Sequence, residues 1–196
     1  MSSANLQTWR KKVHSDPKLF IEFCKAAGIR PDVQGLIHWS NWITPPVEVS
    51  RFDTHFFLTL LNESHSDTQC DGIETLELEW LTPQQAVDAF ERGGISFFPP
   101  QYYTLLELSQ LELSDLKEYV RGTRTRSPAH LVPMLPEPKK LADGKLALIL
   151  PGDEEYSPTL RGPKGRQHRL IARKEKGTFT EMRLVDTVDP RSSSRL

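Results

Sequence analysis

Two oppositely charged residues, Arg51 and Asp53, lie in the segment R-F-D-T, between a tryptophan-rich stretch and a phenylalanine-rich one. A guanidinium can bind phosphate through two parallel hydrogen bonds, and a carboxylate can orient such a ligand or a neighbouring side chain. The same charges can instead form a structural ion pair, because ion-pair networks also occur away from functional sites. We predict that Arg51 and Asp53 position a ligand, and we keep the structural ion pair as the alternative.

Two further groups of carboxylates have alternative explanations. Glu79 falls in the alternating segment 73–81, where it either faces water from a strand or lies at the rim of a metal or phosphate site. Asp153, Glu154 and Glu155 follow Pro151-Gly152, and clustered carboxylate oxygens attract hard divalent cations. Ordinary turn chemistry also accounts for this acidic segment, and we favour that interpretation.

The catalytic motifs with the most specific spacing are absent from the sequence. It contains no P-loop, no G-x-S-x-G, no H-E-x-x-H and no paired C-x-x-C. The six histidines lack metal-ligand spacing, although His38 and His55 can approach each other across a hairpin, where we interpret them as a structural pair. The sequence alone therefore assigns no catalytic residue.

Several longer motifs point to one family. They are W-x-x-W-I-T-P from Trp39, R-F-D-T-x-F-F from Arg51, the opening W-R-x-x-V-x-x-D-P pattern, E-W-L-T-P-Q-Q-A, P-P-Q-Y-Y and L-P-G-D-E-x-Y. With them the chain resembles the peroxisomal Nudix-type acyl-coenzyme A diphosphatases of the Nudix motif 19 branch. The resemblance implies an α+β Nudix fold, with a mixed sheet flanked by helices.

The resemblance also implies a hydrolase that converts acyl-CoA or CoA to (acyl-)4′-phosphopantetheine and adenosine 3′,5′-bisphosphate with Mg²⁺ or Mn²⁺. It places Glu79 near the substrate cleft and Tyr102 on a wall of the acyl or pantetheine pocket, so both are predicted substrate-binding residues. A core helix start is the alternative for Tyr102. The implied partners are the CoA substrate and a peroxisomal import receptor.

The family's metal-binding signature, the Nudix box, has no counterpart in this sequence. The chain contains no Arg-Glu dipeptide, and its one pair of adjacent glutamates follows a Pro-Gly turn. The resemblance therefore predicts the C-terminal part of a Nudix domain, without its first strands and catalytic helix. No metal ligand or catalytic residue is carried over, and an inactive form that binds CoA or a protein partner is the alternative function.

The last three residues, Ser194, Arg195 and Leu196, are close to the Ser-Lys-Leu peroxisomal address. Together with the resemblance they predict a peroxisomal location. We expect the Nudix part and its family extension to occupy residues 1–186, and a flexible tail with this targeting-like end to occupy 187–196.

The composition is that of a globular protein without a strong charge preference. Charged residues are 26%, the net charge is −1, and no run of 18 apolar residues occurs, so neither nucleic acid binding nor a membrane span is expected. Residues 157–196 differ, with ten Lys and Arg against four Asp and Glu. This basic segment can bind the phosphates of coenzyme A or simply keep an edge strand solvated.

The apolar periodicity predicts the elements that must hold these residues. It predicts two helices within residues 5–28, the second capped by Asp16, and a hairpin of strands 36–44 and 52–61. A strand over 73–81 follows, and then helices beginning at Thr82 and Gln101 and a helix over 114–120 that ends at Gly122. Residues 123–140 are predicted as a loop. Strand 145–150 and a hairpin around Lys176-Gly177 complete the pattern.

Overall fold

The computed structural model describes residues 2–61, 68, 70, 76–123 and 132–187. Residues 1–36 and 37–196 form two compact units. Five α-helices and six strands lie in the described ranges, and they confirm the predicted α+β class.

The first unit is a helical pair. Helix α1 spans Ser3–Ser15 and helix α2 spans Leu19–Ala27, and the Trp9 and Phe23 rings pack with their centroids 5.9 Å apart. Gly28 ends α2 in the left-handed conformation, with a φ of 67° that a residue without Cβ adopts easily. Asp16 does not cap α2 directly. Its carboxylate accepts from the Lys18 N–H in a preceding turn, and the helix begins at Leu19.

The predicted hairpin is present in the second unit. Strand β1, Ile37–Ile43, pairs antiparallel with strand β2, Asp53–Leu58, and a bulge interrupts the register between His38 and Ser40. The second strand is shorter than the predicted range 52–61. Thr44 closes the base of the connecting loop, because its N–H donates to the Phe52 carbonyl and its hydroxyl accepts from the Phe52 N–H.

Three helices follow the hairpin. They are α3, Pro83–Glu91; α4, Pro99–Ser109; and α5, Leu113–Thr123. The predicted helix start at Thr82 is confirmed by a capping box, since the Thr82 hydroxyl accepts from the Gln85 N–H and the Gln85 side chain accepts from the Thr82 N–H. The predicted end of α5 at Gly122 is wrong, because the helix continues through this glycine to Thr123.

The strand predicted for residues 73–81 is wrong over its described part. Residues 76–81 have no regular secondary structure, and no described strand pairs with them. Leu76 is 73% exposed and Trp80 is 67% exposed. The alternation of apolar and polar residues therefore has no buried face to stabilise a strand at this place.

A four-stranded antiparallel sheet forms the C-terminal half, in the order β3-β4-β5-β6. Its strands are β3, Glu137–Lys140; β4, Leu146–Ile149; β5, His168–Glu175; and β6, Thr178–Asp186. Strand β3 corrects the predicted loop over 123–140. The hairpin between β5 and β6 turns at Lys176 and Gly177 as predicted, with φ values of 48° and 88°.

The expected mixed sheet is present only as one parallel bridge. Trp42 of β1 pairs with Met134, where the Met134 N–H donates to the Asn41 carbonyl and the Ile43 N–H donates to the Met134 carbonyl. All strand pairs in the described ranges are otherwise antiparallel.

The main core lies between the four-stranded sheet and helices α3 and α4. One buried cluster includes Leu148 and Leu170 on the sheet, Leu150 just after β4, and Phe90 and Tyr102 on the helices. Burial of each leucine contributes about 1.5–3 kcal/mol relative to exposure. The opposite face of the sheet carries a smaller cluster around Ala147, Ile149 and Tyr156.

Candidate functional site

Arg51 lies at the base of the β1–β2 hairpin with its side chain exposed. Its Nε donates to the carbonyl of Thr44 at 3.2 Å, which fixes the guanidinium against the end of β1. Among the described residues, Arg51 makes no ion pair, and it does not pair with Asp53. The terminal guanidinium nitrogens therefore remain available to a phosphate or carboxylate ligand.

Asp53 is held by its neighbours across the hairpin. Its Oδ1 accepts from the Asn41 side-chain amide at 2.5 Å and lies 3.6 Å from Nε2 of His55. On the other side of its ring, Nδ1 of His55 lies 3.0 Å from Nε2 of His38. The predicted approach of the two histidines is confirmed, and Asp53 belongs to this polar chain.

Glu79 and Tyr102 occupy quite different environments. Glu79 is exposed on the irregular segment before α3. Tyr102 is only 2% exposed, and its ring packs 5.2 Å from that of Phe90 in the core. Burial, and next the charge of Glu91, raise the pKa of the Tyr102 phenol, while Arg183 opposes this effect.

The structure brings only Arg51 and Asp53 near one another, at one end of one hairpin. No hydrogen bond, ion pair or ring contact within the described ranges joins any two of Arg51, Asp53, Glu79 and Tyr102. Their substrate-binding roles remain predictions. The targeting residues Ser194, Arg195 and Leu196 lie outside the described residues.

Sequence analysis missed a buried ion pair that organises the acidic turn. Asp153 is fully buried, and its two oxygens accept from Nε and Nη2 of Arg169 at 2.7 and 2.6 Å. The same carboxylate accepts from the backbone N–H groups of Glu155 and His168. The motif L-P-G-D-E-x-Y marks the acid, but no local pattern indicates that Arg169, sixteen residues later, is its partner.

The ion pair extends outward to the surface of the sheet. Glu155 contacts Nη1 of Arg169 at 3.1 Å and Nζ of Lys139 at 2.5 Å. Burial alone raises the pKa of the Asp153 carboxyl, but the hydrogen bonds from Arg169 and the two backbone N–H groups outweigh it and bring the pKa below its usual value. Hydrogen bonds from Lys139 and Arg169 lower the pKa of Glu155.

The residue before Arg169, at the start of β5, reaches the opposite face of the sheet. His168 is buried, its Nδ1 lies 2.7 Å from the Pro151 carbonyl, and its Nε2 lies 2.9 Å from the Tyr103 hydroxyl. A carbonyl can only accept, so Nδ1 carries a proton. Residues 151–153 are thus attached to both faces of the sheet.

The described residues of the acidic turn do not fit a Mg²⁺ or Mn²⁺ centre. Both oxygens of Asp153 already accept two hydrogen bonds each, and Glu155 forms ion pairs with the side chains of Lys139 and Arg169. Within the described part of the chain, no group of three or more His, Cys, Asp or Glu side chains is arranged to hold a metal ion. The acidic turn therefore has the structural role that turn chemistry predicted.

None of the helices in the described ranges combines the length and apolar character needed to cross a bilayer.

Comparison with known proteins identifies relatives of the chain. Acyl-coenzyme A diphosphatase NUDT19 of Gallus gallus is 34% identical over 80% of this chain and 42% of its own length. The proteins of the same name from Homo sapiens and Xenopus laevis are 36% and 30% identical, over 77% and 85% of this chain and 40% and 49% of their own lengths. The chain thus spans less than half of these relatives.

No solved structure matches the chain. A family model described as the NUDT19 Nudix domain matches residues 1–108, which is more than half of the 196 residues. The match includes the hairpin with Arg51 and Asp53 and extends through most of α4. On this evidence the chain belongs to the NUDT19 Nudix domain family.

Proposed function

We propose that this chain is part of an acyl-CoA diphosphatase, which hydrolyses acyl-CoA or CoA to (acyl-)4′-phosphopantetheine and adenosine 3′,5′-bisphosphate. The observation that carries the proposal is the alignment of 77–85% of the chain with three relatives named acyl-coenzyme A diphosphatase. The family model over residues 1–108 supports the same assignment.

Hydrolysis of a diphosphate generally requires a divalent cation to neutralise developing charge and to help generate hydroxide. Mg²⁺ or Mn²⁺ is the expectation for this family. Because Arg169 and Lys139 engage Asp153 and Glu155, and no group of three or more His, Cys, Asp or Glu side chains in the described ranges is arranged to hold a metal ion, we assign no metal ligand and no chemical step to the described residues. The contribution that we propose for this chain is the binding and orientation of the substrate.

Arg51 is our candidate for contact with a substrate phosphate. Its Nε is anchored on the Thr44 carbonyl, and its exposed terminal nitrogens have the planar geometry that matches a phosphate. Asp53 is held by Asn41, so we propose that it maintains the hairpin geometry beside Arg51. Anchoring of this kind reduces the side-chain entropy that Arg51 loses when a ligand binds.

The second candidate function is binding without hydrolysis, of CoA or of a protein partner. The observation that favours it is the engagement of Asp153 and Glu155 by Arg169 and Lys139, which leaves the acidic turn unsuited to a metal. One experiment separates the two functions. The purified chain is incubated with acyl-CoA and either Mg²⁺ or Mn²⁺, adenosine 3′,5′-bisphosphate is quantified, and CoA affinity is measured by calorimetry.

Release of adenosine 3′,5′-bisphosphate at an enzymatic rate supports the diphosphatase. CoA binding without release supports the non-hydrolytic function. Absence of both contradicts the CoA-based proposals, and leaves binding of a protein partner as the surviving candidate.

Replacement of Arg51 by alanine tests its proposed contact. A charge-assisted hydrogen bond contributes about 1.5–3 kcal/mol, so we expect the Kd for CoA to rise about 10- to 100-fold in Arg51→Ala. Calorimetric titration measures the change. Lys140→Ala is the matched control, since it removes an exposed cation from strand β3, outside both the β1–β2 hairpin and the basic segment 157–196. Equal Kd values for wild type and Arg51→Ala would remove Arg51 from the site.

We also propose a peroxisomal location, recognised by an import receptor through Ser194, Arg195 and Leu196. A fluorescent protein fused to the N-terminus should collect in peroxisomes. Removal of these three residues should return the fusion to the cytosol, and an unchanged distribution would argue against the address.

A further inference from the structure

We propose that His38 and His55 form a binding site for a borderline divalent transition ion, Zn²⁺ or Cu²⁺, on the β1–β2 hairpin. The site differs from any Mg²⁺ or Mn²⁺ centre of diphosphate hydrolysis in ligand type, because imidazole nitrogen suits Zn²⁺ and Cu²⁺, whereas Mg²⁺ prefers oxygen. It goes beyond the proposed function and does not depend on it.

The distance between the two histidines fits a shared metal ion. Nε2 of His38 and Nδ1 of His55 lie 3.0 Å apart. Two nitrogens bound to one tetrahedral Zn²⁺, each about 2.0–2.1 Å from the ion, are separated by about 3.3 Å. A widening of a few tenths of an ångström, together with a shift of the His38 proton from Nε2 to Nδ1, therefore converts the hydrogen-bonded pair into two ligands.

The other nitrogen of His55 faces a carboxylate. Its Nε2 lies 3.6 Å from Oδ1 of Asp53, and the Asn41 amide fixes that oxygen at 2.5 Å. Metal-binding histidines commonly direct their second ring nitrogen at a carboxylate, which fixes the tautomer and increases the basicity of the ligating nitrogen. With the proton of His55 on Nε2, the lone pair of Nδ1 points towards His38 and is available to the ion.

The surroundings hold the rings in place and leave room for the remaining ligands. The ring of His38 stacks on that of Phe57, with the centroids 5.3 Å apart. The side chain of His55 is 49% exposed, so water can complete the coordination. Among the described residues, Arg51 donates to the Thr44 carbonyl and Glu48 pairs with Lys174, while the Asp53 carboxylate, which attracts a cation, lies beside His55.

Two protein ligands make this a site of moderate affinity. In the described ranges no third His, Cys, Asp or Glu completes the group. By the Irving–Williams order, Cu²⁺ should bind more tightly than Zn²⁺ at the same two nitrogens. The ion would then cross-link β1 to β2 beside Asp53.

Calorimetric titration of the untagged chain with ZnCl2 and with CuCl2 tests the proposal. We expect one ion per chain at the pair and at least a tenfold rise in its Kd in both His38→Ala and His55→Ala. Asp53→Asn should weaken binding about tenfold, because the carboxylate that supports His55 is lost. His14→Ala is the control, since His14 lies in α1. The Kd of this variant for Zn²⁺ and for Cu²⁺ should equal that of wild type.

A second measurement uses the unmodified chain, so its result does not depend on whether the variants fold. Added Zn²⁺ should shift the imidazole proton resonances of His38 and His55 together at one equivalent, and leave those of His14 and His168 in place. Wild-type affinity and stoichiometry in both alanine variants, or Zn²⁺-dependent shifts confined to other histidines, would overturn the proposal.

Discussion

Asp153 shows how much a single buried side chain depends on its partner. Its carboxylate accepts four hydrogen bonds, two of them from the guanidinium of Arg169, in a place without solvent exposure. A buried ion pair need not stabilise a protein relative to apolar residues. Removing one partner is costly, however, because the other charge is left in a medium that solvates it poorly.

We therefore expect Arg169→Ala to lower the free energy of unfolding by about 3–5 kcal/mol. Arg173→Ala is the matched control, because Arg173 lies on the same strand and pairs with Glu181 at an exposed position. Arg173→Ala should lower the free energy of unfolding by less than about 1 kcal/mol. Urea unfolding measures both values, and similar small losses would show that the Asp153–Arg169 pair is not essential.

At the residue level, local pattern predicted the candidate residues but not their partners. The motif R-F-D-T singled out Arg51 and Asp53, but the pair does not form, because Thr44 and Asn41 offer closer partners across the hairpin. Arg169 was missed because no residue close to it in sequence indicates its partner. Its partner is distant along the chain, and only the pairing of β4 with β5 brings the two together.

At the level of elements, the start of α3 is fixed by a reciprocal pair of hydrogen bonds between Thr82 and Gln85. Loss of an N-cap hydroxyl typically costs about 1 kcal/mol. We expect Thr82→Ala to lower the free energy of unfolding by this amount, and Thr82→Ser, which keeps the hydroxyl, to remain close to wild type. Denaturant unfolding followed by circular dichroism provides the measurement, and equal effects of the two substitutions would contradict a capping role.

Elements with local signals were predicted well, and elements defined by distant contacts were not. The capping box of α3 and the turn at Lys176-Gly177 are encoded within a few residues. Strand β3 was missed because its sequence, E-P-K-K, lacks apolar residues and contains a proline that only an edge strand tolerates. Segment 76–81 alternates as a strand does, but no partner strand pairs with it in the described structure.

For the whole molecule, the acidic network links stability to pH. Both Asp153 and Glu155 have a pKa below the ordinary value for their type, owing to Arg169, Lys139 and backbone donors. A carboxyl whose pKa is lower in the folded state stabilises that state fully above its unfolded pKa, near 4, and loses this contribution as the pH falls through the folded value. The protein should therefore lose stability on acidification below about pH 4.

Urea unfolding between pH 3 and pH 7 measures this acid limb. The free energy of unfolding should fall less steeply with decreasing pH in Asp153→Asn than in wild type, by up to about 1.4 kcal/mol per pH unit, since one linked proton is removed. Glu155→Gln serves as the milder variant, because Glu155 is partly exposed and solvent screens its interactions. Slopes identical to wild type in both variants would show that other groups dominate the acid response.

The turn at residues 151–153 has one more consequence. Through the Pro151 carbonyl it accepts from His168, whose ring also reaches Tyr103 in the helical layer, and through Asp153 it accepts from Arg169 on the other face. The turn thus connects the two faces of the sheet through hydrogen bonds. Because opening it releases both layers at once, the amides at the start of β5 belong to one cooperative unit and share a single opening free energy in hydrogen exchange.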